Sequence, residues 1–274
     1  MTTIDYEAEY NNRRAVPEYE EIAARWAKAT AAWVAEADIL ADQPYGPGER
    51  QRYDLYRARG ATNAPLVIYI HGGYWQRGDR KAVGFVTKEL NARGIDVACP
   101  SYSLAPAAKV TAIMDELRQC VKALYERTKK RPVVVGHSAG GHLAAAMLAT
   151  DWSALGLPAN VVRAAYAISG AFDPEPLIGT SLNDALRLDI TSAQAANVIR
   201  GRTPPPAAIM VAAVGGNESQ EFIRQSLSLT AIWSRAGVKA ECVIVPNANH
   251  FTIVDEVARS ESAMLARIVS LANG

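Results

Sequence analysis

The stretch PVVVGHSAGGHLAAAMLA, Pro132 to Ala149, constrains the fold more than any other in the chain. Val133, Val134 and Val135 form a β-branched run with no polar side, which suits a strand covered on both faces. The run stops at Gly136, a lone serine follows at Ser138, and an alanine-rich segment then reads as a helix that is apolar all round. A buried strand leading straight into a buried helix belongs at the centre of a layered α/β sheet.

The same alternation recurs from Gln51 onward. YDLYRA alternates with period two, PLVIYI (Pro65–Ile70) is a continuous apolar run, and IDVACPSY, VVRAAYAISG, AAIMVAAVGG and AECVIVP are further strands. DRKAVGFVTKELNARG predicts an amphipathic helix ending at Gly94, and VTAIMDELRQCVKALYERTKK predicts a longer one. Two more helices are expected at about Ser219–Ala236 and Ile253–Leu271. The fold class is therefore α/β, with a mostly parallel central sheet and helices on both faces. Right-handed crossovers bring the C-terminal ends of the strands to one edge, where ligand chemistry usually sits.

One domain is expected over residues 1–274, with two additions. Residues 1–50 form an N-terminal helical extension, in which Ile22, Trp26 and Trp33 share a face of a helix over Tyr19–Leu40 packed on the domain. Residues 173–206 form a cap-like insertion between two strands, placed to cover a pocket.

Hydrophobic residues make up 49% of the chain and charged residues 21%, enough for a sizeable core. A net charge of +1 leaves no footprint for nucleic acid or an acidic membrane, and Lys129–Arg131 reads as a solvated helix end. The three cysteines, Cys99, Cys120 and Cys242, are far apart and read as buried small hydrophobes, with no metal-ligand or disulfide spacing. MTTIDYEAEYNNRR has no apolar core like that of a secretory signal, and no apolar stretch is long enough to span a bilayer. The expectation is a cytoplasmic protein with a small-molecule substrate, no cofactor and no metal. Homodimer formation is left open.

Gly136-His137-Ser138-Ala139-Gly140 fits G-x-S-x-G with a strand before it and a helix after it. A turn this tight exposes the serine Oγ at the sheet edge and aims the next backbone N–H at a developing oxyanion. The serine needs a base, and the chain has four histidines. His137 is expected to point to the opposite side of the elbow and His142 lies one turn on, so both read as core or supporting residues. His250 remains, on the loop after the last strand. An acid must orient the imidazole, and two follow strand ends between Ser138 and His250, namely Asp173 and Glu218. The strand just before the histidine's own is the usual donor, which favours Glu218 and leaves Asp173 to cap the insertion or shape the pocket. In YIHGGYWQRGD, His71-Gly72-Gly73 can present backbone N–H groups, so Gly73 and Tyr74 join Ala139 as oxyanion donors while His71 braces the loop. No lysine or helix start follows these glycines, which argues against a phosphate loop.

With HGGYW at His71–Trp75, GHSAGGHL at Gly136–Leu143, SGAFDPEPLIGTSLNDALRLD at Ser169–Asp189, VGGNESQEFIRQS at Val214–Ser226 and NANHF at Asn247–Phe251, the chain resembles an α/β-hydrolase of the kynurenine formamidase-like (arylformamidase) group from about Arg52 to the C-terminus. The resemblance implies a Ser138, Glu218, His250 triad, although the family more often carries aspartate at the Glu218 position. It also implies a serine hydrolase acting through an acyl-enzyme on a small ester or activated amide, foremost an aryl formamide. Trp75, His71 and Asp173 are expected at the substrate pocket. Two alternatives stand beside it: a short-acyl carboxylesterase or related small-amide hydrolase, and a non-catalytic homologue that binds a small ligand.

Overall fold

Alternate residues of the apolar strands point to opposite faces of one sheet, and both faces are covered. In the strand Leu66–Ile70, Leu66, Ile68 and Ile70 join one core while Val67 and Tyr69 join the other. The computed structural model describes residues 4–274, so the first three residues of the expected extension lie outside the described range.

The chain opens with three helices, α1 (Tyr6–Tyr10), α2 (Asn12–Ala15) and α3 (Tyr19–Val34). Next come β1 (Asp38–Pro44), β2 (Arg52–Arg57), β3 (Leu66–Ile70), α4 (Lys88–Ala92) and β4 (Asp96–Pro100). The centre is α5 (Val110–Thr128), β5 (Val133–His137), α6 (Ala139–Leu148) and β6 (Ala164–Ile168). The insertion carries a 3-10 turn at Glu175–Gly179, then α7 (Asn183–Leu186) and α8 (Ile190–Ala196). The last part is β7 (Ile209–Gly215), α9 (Gln220–Arg235), β8 (Lys239–Val245), α10 (Asp255–Ala258) and α11 (Ala263–Asn273).

The eight strands form one sheet in the order β1-β2-β4-β3-β5-β6-β7-β8. The two pairings of β2 are antiparallel and the rest are parallel, the α/β-hydrolase arrangement expected. From β3 the chain steps to β4 on one side, and from β5 it steps to β6 on the other. The crevice beyond the ends of β3 and β5 is thus a topological switch point, where open α/β sheets place their ligands.

All ten residues of α6 are buried between the sheet and its neighbours, as a helix without a polar face requires. Its approach to the sheet depends on glycine, since a Cβ on Gly140 would overlap the Ile70 carbonyl oxygen. The opposite face carries α3, docked through its tryptophans. Trp26 stacks on Phe85 and donates to Asp255 at 2.6 Å, and Trp33 donates to Thr87 at 2.8 Å.

Three elements differ from expectation. The helix over Tyr19–Leu40 stops at Val34, because the free edge of β2 recruits Ile39 and Leu40 into β1. The segment ending at Gly94 opens with two 3-10 turns, and Gly84 in the second packs so closely that a Cβ would press on Tyr56 and Thr30. The C-terminal helix breaks before Ser262, whose side chain caps α11 by accepting from Leu265 N–H at 2.9 Å. Cys99 and Cys120 are buried, whereas Cys242 is half-buried on the edge strand β8. Among the described residues no helix is long and apolar enough to cross a membrane.

Candidate active site

Ser138 sits where β5 turns into α6, with a left-handed backbone at φ 57°. A side chain held there costs about 1–3 kcal/mol and persists only where its surroundings fix it. Here Ser138 N–H donates to Ile168 O at 2.8 Å, locking the turn against β6. Its Oγ lies 3.1 Å from His250 Nε2, and His250 Nδ1 lies 2.7 Å from Glu218 Oε2. The His250 and Glu218 side chains are 5% and 0% exposed. A carboxylate facing Nδ1 selects the tautomer with its proton there, leaving Nε2 free to accept from the serine.

Glu218 is itself held from two sides. Its Oε1 accepts from Ser169 Oγ–H at 2.5 Å and from Gly215 N–H at 2.6 Å, so Oε2 is aimed at the imidazole. The sequence does not single out Ser169, whose one signal is its place at the end of a strand. Asp173, the other acid considered, is elsewhere. Its carboxylate accepts from Glu175 N–H at 3.1 Å and caps the insertion.

The remaining histidines are buried, which favours the neutral ring. His137 does not point away from the elbow as expected. Its Nε2–H donates to His250 O at 2.7 Å and the two rings are 4.8 Å apart, because the histidine loop folds back over β5. Burial, reinforced by His250, pushes His137 down to about 3. His142 donates to Ala196 O at 2.7 Å under the insertion, and burial pushes it down to about 4. His71 stacks on Tyr102 with ring centres 4.4 Å apart, and burial likewise lowers it to about 4.

After β3 the backbone turns left-handed over three residues, with φ 116° at Gly73, 51° at Tyr74 and 55° at Trp75. Gly72 lies against the elbow, where a Cβ would sit 2.9 Å from His137 O and 3.1 Å from Ser138 Cβ. Among the described residues the N–H groups of Gly73, Tyr74 and Ala139 have no acceptor. Three uncommitted donors beside a serine hydroxyl can receive the negative charge of a tetrahedral adduct. The left-handed run also sends Trp75 inward, fully buried and edge-on to His142 at 5.1 Å. Trp75 therefore does not line the pocket.

A cavity of about 770 Å3 is lined by Ser138 and His250 together with His71, Gly73 and Tyr74. Trp75 and Asp173 are not among its walls. Tyr19 and Trp26 of α3, Phe85 and Phe251 give it aromatic walls, and Arg13 and Arg77 stand among its lining residues. The N-terminal extension thus contributes to the site, and the insertion reaches it through Ser181 and Leu182. That contribution left no mark in the sequence beyond the aromatic face of α3. Among the described residues there is no group of three His, Cys, Asp or Glu side chains placed to hold a metal ion.

Several known proteins are similar to this chain. A family model described as BD-FAE matches residues 53–165. A kynurenine formamidase of Salmo salar is 31% identical over 229 residues, spanning 81% of this chain and 78% of that protein. One of Danio rerio is 29% identical over 237 residues, spanning 84% and 80%. Among solved structures, a candidate thioesterase of Silicibacter sp. TM1040 superposes with a TM-score of 0.87 at 27% identity, over 99% of this chain and 100% of that one.

Proposed function

Because the chain belongs to the kynurenine formamidase family of α/β-hydrolases, its chemistry is the hydrolysis of an ester or amide, and we propose that Ser138 is the nucleophile and an aryl formamide the substrate. The observation that carries the serine reading is the hydrogen-bonded line from Ser138 through His250 to Glu218 beside three unpaired N–H groups.

In this reading Ser138 Oγ attacks the carbonyl carbon and gives its proton to His250 Nε2, while Glu218 stabilises the imidazolium. The carbonyl oxygen becomes an oxyanion held by Gly73, Tyr74 and Ala139 N–H. The imidazolium then protonates the leaving amine, the C–N bond breaks, and formyl-Ser138 remains. Water, deprotonated by His250, attacks that ester and releases formate, restoring the serine. A formyl group needs little room beside the elbow, and the aromatic walls formed by Tyr19, Trp26 and Phe251 suit an aryl leaving group. The free cysteines, two of them buried, suit a reducing compartment such as the cytoplasm.

A panel pairing an N-formyl arylamine with its N-acetyl analogue and with short acyl esters tests both parts. The formyl compound should be preferred over the acetyl one by about 10–200-fold, the discrimination a tight pocket exerts against one extra carbon. Rapid butyryl ester turnover without formamide cleavage would reject the formamide. Failure to turn over any member, together with no labelling of Ser138 by a fluorophosphonate, would reject the serine hydrolase.

A further inference from the structure

Tyr74 carries a large side chain on a left-handed backbone, in a loop where the N–H groups of Gly73 and Tyr74 have no acceptor among the described residues. The carbonyl side of the loop is secured. Trp75 O accepts from Ala105 N–H at 2.7 Å, and Gly73 O accepts from the N–H groups of Gln76 and Arg77 at 3.0 and 3.1 Å. On the N–H side, what fixes direction is the Tyr74 side chain. Its hydroxyl donates to Tyr10 O at 2.6 Å and accepts from Asn12 Nδ2 at 3.0 Å.

Tyr10 and Asn12 flank the turn between α1 and α2, and that turn is anchored to α9. The fully buried Tyr10 ring donates from its hydroxyl to Glu221 Oε2 at 2.9 Å and accepts from Gln225 Nε2 at 2.5 Å. Glu221 N–H donates to Glu9 Oε2 at 2.9 Å, and Gln225 also spans the backbone of Asp173. Since α9 starts just after Glu218, one buried polar network ties the loop over the serine to the helix behind the carboxylate. Burial keeps the Tyr74 hydroxyl protonated, so it stays a donor.

We propose that Tyr10 and Asn12 are positioning residues, which act through the Tyr74 hydroxyl to hold the Gly73 and Tyr74 N–H groups on the oxyanion. This rests on the reading of those N–H groups as the oxyanion hole. It makes the N-terminal segment part of the reaction machinery, although it touches none of the reacting atoms.

Tyr74→Phe keeps the ring and the backbone N–H and removes only the hydroxyl. Its kcat on an aryl ester should fall about 10- to 100-fold, the loss expected when a donor is displaced but still present. KM should change by less than about twofold, because ground-state binding does not use the hole. Affinity for phenylboronic acid, whose adduct with Ser138 places an oxygen in the hole, should fall with kcat. Asn12→Ala should also lower kcat, and should add nothing in the Tyr74→Phe background, since both act through one hydroxyl. Asn12→Ala alone carries the test if Tyr74→Phe does not fold. Wild-type kcat, a rise in KM alone, or additive losses in the double variant would each overturn the proposal. Ser138→Ala run in parallel separates the two readings. An active Ser138→Ala removes the serine mechanism, whereas an inactive one beside a fully active Tyr74→Phe removes only the positioning role.

Discussion

Replacing Glu218 by Gln tests the site through the donors that surround the carboxylate. Oε1 accepts from Ser169 Oγ–H and Gly215 N–H, and Oε2 accepts from His250 Nδ1–H. A glutamine has one oxygen and one NH2 to meet three donors. With its oxygen on the Gly215 side, it keeps the backbone N–H satisfied and turns its NH2 toward His250. The imidazole must then accept at Nδ1 and carry its proton on Nε2, facing Ser138, so it cannot take the serine's proton. With the amide flipped, the imidazole is correctly held but the NH2 confronts the buried Gly215 N–H, which loses the carboxylate as its acceptor. That orphan costs about 1–3 kcal/mol, so the first arrangement dominates. Reaching the competent arrangement then lowers kcat about 5- to 150-fold, and loss of the negative charge that stabilises the imidazolium supplies the rest of the about 10⁴-fold expected in triads of this kind. The comparison is Asp173→Asn, in which Oδ1 can still accept from Glu175 N–H, so activity should stay within about threefold. Both variants should be assayed on one aryl ester, with circular dichroism and melting temperature confirming the fold. A folded Glu218→Gln enzyme with more than a tenth of wild-type kcat, or a larger loss from Asp173→Asn, would refute the assignment of the orienting acid.

Stability should fall as pH drops from 7 to 5. His137, with a folded value of about 3, and His71 and His142, each at about 4, lie below the 6.5 of a free imidazole. The unfolded chain therefore binds more protons in that window, and three such groups give a slope of up to about 4 kcal/mol per pH unit. Paired carboxylates such as Glu221, held low by Arg224, stay ionised in both states above pH 5 and do not contribute there. Equal urea midpoints at pH 7 and pH 5 would show that these rings are not buried in neutral form. Gly140→Ala should cost at least about 2–3 kcal/mol, because the new Cβ meets the Ile70 backbone oxygen and neither element can yield. A melting temperature unchanged from wild type would contradict the close packing of α6 on the sheet.

What could be read in the sequence divides along a physical line. β3, β5 and β6 are buried along their whole length, so apart from His137 at the turn their side chains are largely apolar whatever their partners, and the run itself reveals them. β1 is an edge strand with polar and exposed positions. Only the free edge of β2 makes DILADQP extended, and local pattern assigned its first residues to the preceding helix. The residues placed to react divide in the same way. Acyl transfer restricts the nucleophile, base and acid to a few side-chain types, so four histidines and two acids at strand ends leave few combinations. The residues that hold them are under no such restriction. Any hydroxyl could brace Glu218 as Ser169 does, and any donor of the right reach could meet Tyr74 as Asn12 does across 62 residues of sequence. Trp75 shows the remaining gap. Its neighbour in sequence faces the cavity, and in an extended loop its own direction would be a matter of alternation. Three consecutive positive φ angles break that alternation and drive the ring into the core against His142. Such angles are unfavourable for tyrosine and tryptophan wherever they occur, so nothing local announces them, and the contacts that impose them come from Ala105, Tyr10 and Asn12, all distant in the chain.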